Sequence, residues 1–142
     1  MMKGLASNKK IWVISALILI FLLFFGQSER LSIRIKFFIN RRQMECVAEE
    51  IKSEKFEKEF EEVVLARGNE KLSVNGCVLV QNNDEGIKIL FYDKKGIFEE
   101  FSGFVYSENN ETIENGDLGI SLWSQNSEVY RLDTDWYWVR SN

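Results

Sequence analysis

Asp133-Thr134-Asp135-Trp136-Tyr137-Trp138 is the densest run of acids and aromatics in the chain. Two carboxylates can act as acid and base when unlike surroundings separate their pKa values, or they can hold a hard cation. Trp136 and Trp138, two residues apart on a strand, share a face and could stack on a sugar ring. The same spacing also suits cross-strand packing. Asp133, Asp135, Trp136 and Trp138 are thus the candidate ligand site, with a packing role for the indoles as the competing reading.

Other chemistry lacks parts. The chain has no histidine, which removes the commonest general base and the imidazole metal ligand. Ser102 and Ser107 in Ser102-Gly103-Phe104-Val105-Tyr106-Ser107 therefore have no triad base. A serine–lysine pair is open in principle, but no lysine stands close in sequence. Gly103 inside a strand pattern marks a bulge or a close backbone contact. Cys46 and Cys77 are the only cysteines; they can form one disulfide in an oxidising compartment or serve as small buried residues. Gly103, Gly116 and Gly119 match no phosphate-binding loop. Glu57, Glu59, Glu61 and Glu62, with Lys58 among them, read as a solvated face rather than a metal site. The residues imply no enzyme, no cofactor and no metal.

What would position these groups follows from charge and hydropathy. The chain has 142 residues, 45% of them hydrophobic, so it can bury one small core. The overall charge of −4 hides a split. Residues 1–44 carry eight basic side chains against Glu29 alone, while the remaining 98 carry ten basic against 21 acidic. A basic, apolar front joined to an acidic body points to a lipid bilayer and argues against nucleic acid as partner.

Ile11-Trp12-Val13-Ile14-Ser15-Ala16-Leu17-Ile18-Leu19-Ile20-Phe21-Leu22-Leu23-Phe24-Phe25 is free of charge. As a helix it spans roughly 22 Å at about 1.5 Å per residue, against a bilayer core of about 30 Å. A cleaved signal needs small residues at its exit, where this chain has Phe24, Phe25 and Gly26. A buried helix would need an apolar shell on every side. The sequence therefore predicts an uncleaved single-pass anchor, with Lys9 and Lys10 reaching to the interface. Basic residues nearly balance across the span, and the cysteine pair favours the acidic body on the extracytoplasmic side.

Leu31-Ser32-Ile33-Arg34-Ile35-Lys36-Phe37-Phe38-Ile39 fits either a strand or a basic amphipathic helix along lipid headgroups, with Leu31, Ile35, Phe38 and Ile39 on one side. Asn40 and Gln43 suggest a fresh helix start. From Met44 to Arg67, Val47, Ile51, Phe56, Phe60, Val63 and Val64 give one apolar stripe, and Glu54–Lys58, Lys55–Glu59 and Lys58–Glu62 are i,i+4 pairs. Gly68 is the expected C-cap. Short strands follow. Asn75-Gly76 signals a two-residue hairpin between Lys71–Val74 and Cys77–Gln81. Further strands are expected at Ile87–Tyr92, Ile97–Tyr106, near Thr112, at Ile120–Trp123 paired with Val129–Leu132, and at Trp136–Arg140, with Asp93 to Gly96 as a turn.

The fold class is α+β: an N-terminal transmembrane helix, then one amphipathic helix packed on an antiparallel meander of about five to seven strands. The segments are 1–28 tail and anchor, 29–43 basic juxtamembrane segment, and 44–142 acidic domain. The expected function is that of a non-enzymatic membrane protein whose acidic domain binds a protein partner, in an immunity-type or envelope-accessory role. The alternative is an envelope saccharide-binding or hydrolytic domain built on Asp133, Asp135, Trp136 and Trp138.

Overall fold

The structure is a computed structural model that describes residues 5–84, 86–96, 100–109 and 127–141, without the side chains of 5–11, 19 and 21–27. Its contacts divide the chain into Met1–Lys36 and Phe37–Asn142.

The first unit is the leading part of a single α-helix, α1, Leu5–Lys52. A chain without proline and rich in Leu, Ile and Phe has only Gly26 to weaken a helix there, at a cost of about 1 kcal/mol. Trp12, Val13, Ile14, Leu17, Ile18 and Ile20 are 51% to 76% exposed. The side chains of Ile11, Leu19 and Phe21 to Phe25, also assigned to the anchor, lie outside the described residues. Among the described residues, no helix is long and apolar enough to cross a membrane. Between the two periods left open for Leu31–Ile39, the helical one is adopted, and α1 runs through Asn40 without a new start.

The second unit contains the rest of α1 and a six-stranded antiparallel sheet: β1 (Phe60–Val64), β2 (Cys77–Asn83), β3 (Gly86–Lys95), β4 (Phe101–Ser107), β5 (Glu128–Arg131) and β6 (Trp136–Ser141), in the order β1-β2-β3-β4-β6-β5. The first four follow as a meander, and β6 then pairs with β4 and holds β5 outside it. The expected partner of β5, Ile120–Trp123, and the strand near Thr112 lie outside the described residues.

Two expectations are corrected. The Met44–Arg67 helix stops at Lys52. The Ser53 hydroxyl donates to the Glu50 carbonyl at 2.6 Å, the Ser53 amide is shared between the Glu49 and Glu50 carbonyls at 3.3 and 3.1 Å, and the Glu54 amide reaches back three residues to Ile51 at 3.0 Å. That tighter last turn satisfies end carbonyls that a longer helix would have used. Phe60 to Val64 instead pair with Cys77 to Gln81. A cross-strand ladder there outweighs i,i+4 ion pairs worth a few tenths of a kcal/mol each.

The second correction follows from the first. Asn75 and Gly76 do adopt positive φ, 66° each, but they close a longer connection from Leu65 to Gly76 that includes two 3-10 turns, Glu70–Leu72 and Val74–Gly76. Ser73, buried there, donates to the Cys77 carbonyl and accepts from the Tyr92 amide at 2.9 Å. Gly68 lies in this connection at φ 100° rather than at a helix end.

The register sets two faces. Val78, Val80, Ile89, Phe91, Phe104, Tyr106, Trp136 and Trp138 share one; Leu79, Leu90, Val105, Tyr137 and Val139 share the other. On the first, Phe37 of α1 lies 6.0 Å from Phe104 and 5.5 Å from Trp136, ring to ring. The same helix stripe continues through Met44, Val47, Ala48 and Ile51, all buried, at the spacing of one helical side. On the second, Leu90, Val105, Tyr137 and Val139 form a buried cluster. Both faces are therefore apolar, which explains the unbroken buried runs in β3 and β4.

Gly103 stands where neighbouring chain comes closest. A Cβ there would meet the Phe91 carbonyl oxygen and the Leu90 Cδ1, the latter at 2.8 Å. Backbone cannot yield as a side chain does. Gly103→Ala is expected to lower stability by about 1–3 kcal/mol, the usual cost of overpacking, read as a lower urea midpoint with unchanged slope.

Candidate functional site

The turn from β5 to β6 brings Asp133 and Asp135 close in sequence, yet it engages them separately. Asp133 Oδ2 meets the Arg41 guanidinium of α1 at 2.6 Å, and Asp133 Oδ1 accepts the Thr134 amide at 2.8 Å. Arg41 also bonds Glu45 at 2.7 Å, and that hydrogen bond is the main reason its pKa is raised. The Asp135 carbonyl accepts the Ser107 amide at 2.9 Å. Arg131 closes the turn by donating to the carbonyls of Asp133 and Thr134. Asp133 thus ties helix to turn.

Trp136 and Trp138 share a face, as their spacing requires, but that face is covered. Trp136 is 3% exposed, with Phe37, Phe91 and Tyr106 rings at 5.5, 5.8 and 5.4 Å. Trp138 is 2% exposed and stacks on Tyr130 at 5.3 Å, with the Arg140 guanidinium 4.9 Å from its ring. A sugar platform needs an open ring face, and neither indole offers one. Of the two readings weighed for these tryptophans, their burial supports packing.

Cys46 and Cys77, open to a disulfide or to a packing role, are both free thiols, Cys46 exposed and Cys77 half-buried. Among the described residues, no group of three or more Cys, Asp or Glu side chains could hold a metal. Glu57 and Glu59 fall in the link after α1, and Glu61 and Glu62 point to opposite sides of β1.

At the end of α1, Lys52 gathers three partners: Glu49 at 3.0 Å, Tyr106 Oη at 3.3 Å and Glu108 at 3.2 Å. Glu108 also accepts the Ile87 amide at 3.4 Å, so the cluster pins the helix terminus to β3 and β4. The ammonium is favourable beside the carbonyl end of a helix. The bond to Glu49, with those to Tyr106 and Glu108, raises the Lys52 pKa. Burial raises that of Tyr106, with Lys52 opposing. These are structural uses of charge.

The sequence missed a second arrangement. β3 does not turn at Asp93; it bulges between Tyr92 and Lys94 and continues to Lys95. The bulge places Lys94 opposite Ser102, and β6 places Arg140 opposite Ser102 from the other side. A lysine therefore does stand beside a serine, brought there by pairing. All three line a cavity of about 460 Å³ at the sheet end, with Lys95, Gly96, Glu100, Phe101 and Ser141. Lys94 is exposed, without the dry surroundings that make lysine a base, so the pair is not a nucleophile and its activator. No short-range signal could have revealed it, because the alignment depends on one extra residue in β3.

No family model, no curated protein and no solved structure matches this chain.

Two measurements check these assignments. Trp136→Ala should cost about 3–5 kcal/mol, the range for emptying a large aromatic site, whereas Asp133→Asn should cost at most about 1 kcal/mol, as for an exposed ion pair; urea unfolding of both variants gives the ratio. Lys52 and Tyr106 both hold their protons more tightly in the folded chain than in the unfolded one. The stability linked to them is whole below their ordinary values of 10.5 and 10.0 and falls as pH rises past those values. Urea midpoints should therefore drop above about pH 10, and Tyr106→Phe should make the drop shallower.

Proposed function

We propose that this chain is a single-pass, membrane-anchored protein without enzymatic activity, whose acidic α+β body binds a protein partner close to the bilayer. One observation carries the reading: six large apolar side chains of α1, Trp12 to Ile20, stand bare ahead of the folded body. At about 100° per residue positions 12, 13, 14, 17, 18 and 20 spread over about 240° of the helix circumference, far wider than the stripe of a helix packed on one protein face. Water is a poor solvent for such a surface, at about 25 cal/mol per Å² of exposed apolar area. Lipid removes that cost over the whole width at once, which no single packed protein face does. Lys9 and Lys10 before the run and Arg30 and Arg34 after it suit the two interfaces.

The body supplies the second half. Twenty-one acidic side chains over 98 residues give it a field that attracts a basic partner and speeds encounter. Of the candidates for catalytic use, Asp133 is held by Arg41 and the Thr134 amide, and the Ser107 hydroxyl donates to the Asn109 carbonyl. An immunity-type role and an accessory role in an envelope complex both fit this description. Burial of Trp136 and Trp138 leaves the saccharide alternative without its platform.

Fractionation tests the anchor. The full-length chain should stay with membranes through an alkaline carbonate wash and be released by detergent. Charged substitutions at Leu17 and Ile18 together should release it without detergent. Recovery of the unaltered chain in the carbonate supernatant overturns the proposal. Protease added to intact spheroplasts reads the side on which the body lies.

A further inference from the structure

We propose that the open side of β1 takes an extended segment of the partner protein as an added antiparallel strand. That segment carries lysine or arginine along one face and apolar side chains along the other. The placement rests on the reading that the acidic body binds a protein partner, and it gives that partner a form. β1 ends the sheet, with β2 on one side and no described strand on the other. The Asn82 amide donates to the Glu59 carbonyl at 2.9 Å, and the Leu65 amide to the Gly76 carbonyl at 2.8 Å. Bonding alternates along an antiparallel pair, so the backbone of Glu59, Glu61, Val63 and Leu65 faces β2. Phe60, Glu62 and Val64 therefore turn their N–H and C=O groups to the open side.

The side chains decide which strand fits. Alternation puts Glu61 and Val63 on the face of Val80 and Val78, and Phe60, Glu62 and Val64 on the face of Leu79. Residues 57–64 hold four glutamates against Lys58 alone. Glu62 is engaged by Lys95 at 3.6 Å, and Glu61 is exposed. An added antiparallel strand that bonds to Phe60, Glu62 and Val64 meets Glu61 in a pair without hydrogen bonds, where facing side chains come closest. A basic residue there lies against the carboxylate, whereas a glutamate there is repelled. On the other face, apolar residues of the added strand cover half-buried Phe60 and exposed Val64. Main-chain bonds then supply the affinity and the alternating side chains the choice of partner.

The probe is an acetylated, amidated peptide alternating valine and lysine. N-methyl groups on its lysines leave only the valine amides able to bond, so it adds to one edge and cannot stack on itself. It is added to the isotopically labelled full-length chain in neutral detergent, and hydrogen exchange is followed residue by residue. The Phe60, Glu62 and Val64 amides should exchange roughly tenfold more slowly at saturation. Glu61→Gln should weaken binding roughly threefold, as for an exposed charge pair, with the spectrum otherwise intact. Moving the N-methyl groups to the valines should abolish the slowing, and so should replacing lysine by glutamate. Unchanged exchange at the three amides, or equal slowing by either control peptide, overturns the added strand. Lysine-peptide shifts gathered on other acidic residues of the body also overturn it but leave the basic partner standing; no saturable binding anywhere on the body removes both.

Discussion

The indole of Trp136 touches a ring from each part of the body that has to be brought together: Phe37 from the helix, Phe91 from β3 and Tyr106 from β4. A strand pair can slip by two residues and keep its faces, but it cannot slip and keep this contact. The aromatic cluster therefore fixes register and helix position together. The ion pairs then act at its margins. Arg41 to Asp133 holds the turn before β6, and Lys52 with Tyr106 and Glu108 holds the helix end over β4. Each is partly exposed and worth little alone; their value is in where they point the elements.

The same cluster explains why the aspartates and tryptophans of the last strand make an attractive motif and an empty one. Tryptophan at alternate positions is what a sheet needs when a helix lies on one of its faces. Asp133 stands before the strand because the turn needs an acceptor for the Thr134 amide. Residue types suited to sugar binding are here answering a folding requirement.

Much of the architecture was readable from residue types, and the failures have definite causes. Helical spacing in Val47 and Ile51 and strand signals at Ile87, Val129 and Trp136 were local, and the structure has them there. Ser53 to Val64 misled because glutamate and lysine at i,i+4 look the same whether the chain is helical or extended and solvated. The decisive partner of Phe60–Val64 lies at Cys77 to Gln81, beyond any local window. Asn75-Gly76 gave the correct backbone angles and the wrong partner strand for the same reason. The row Lys94, Ser102, Arg140 was the least legible feature of all. It needs three strands in register and a bulge counted correctly.

Among the described strands β1 has a neighbour on one side only, and Val64 on it is 76% exposed. A row of spare amide and carbonyl groups is a template on which another extended chain can grow. Glu61 and Glu62 in the middle of that strand place carboxylates on both of its sides, Glu62 paired with Lys95, and a like strand docking alongside would bring its own carboxylates against Glu61. Charge on that border works against the edge-to-edge pairing of like strands that its open backbone would otherwise allow.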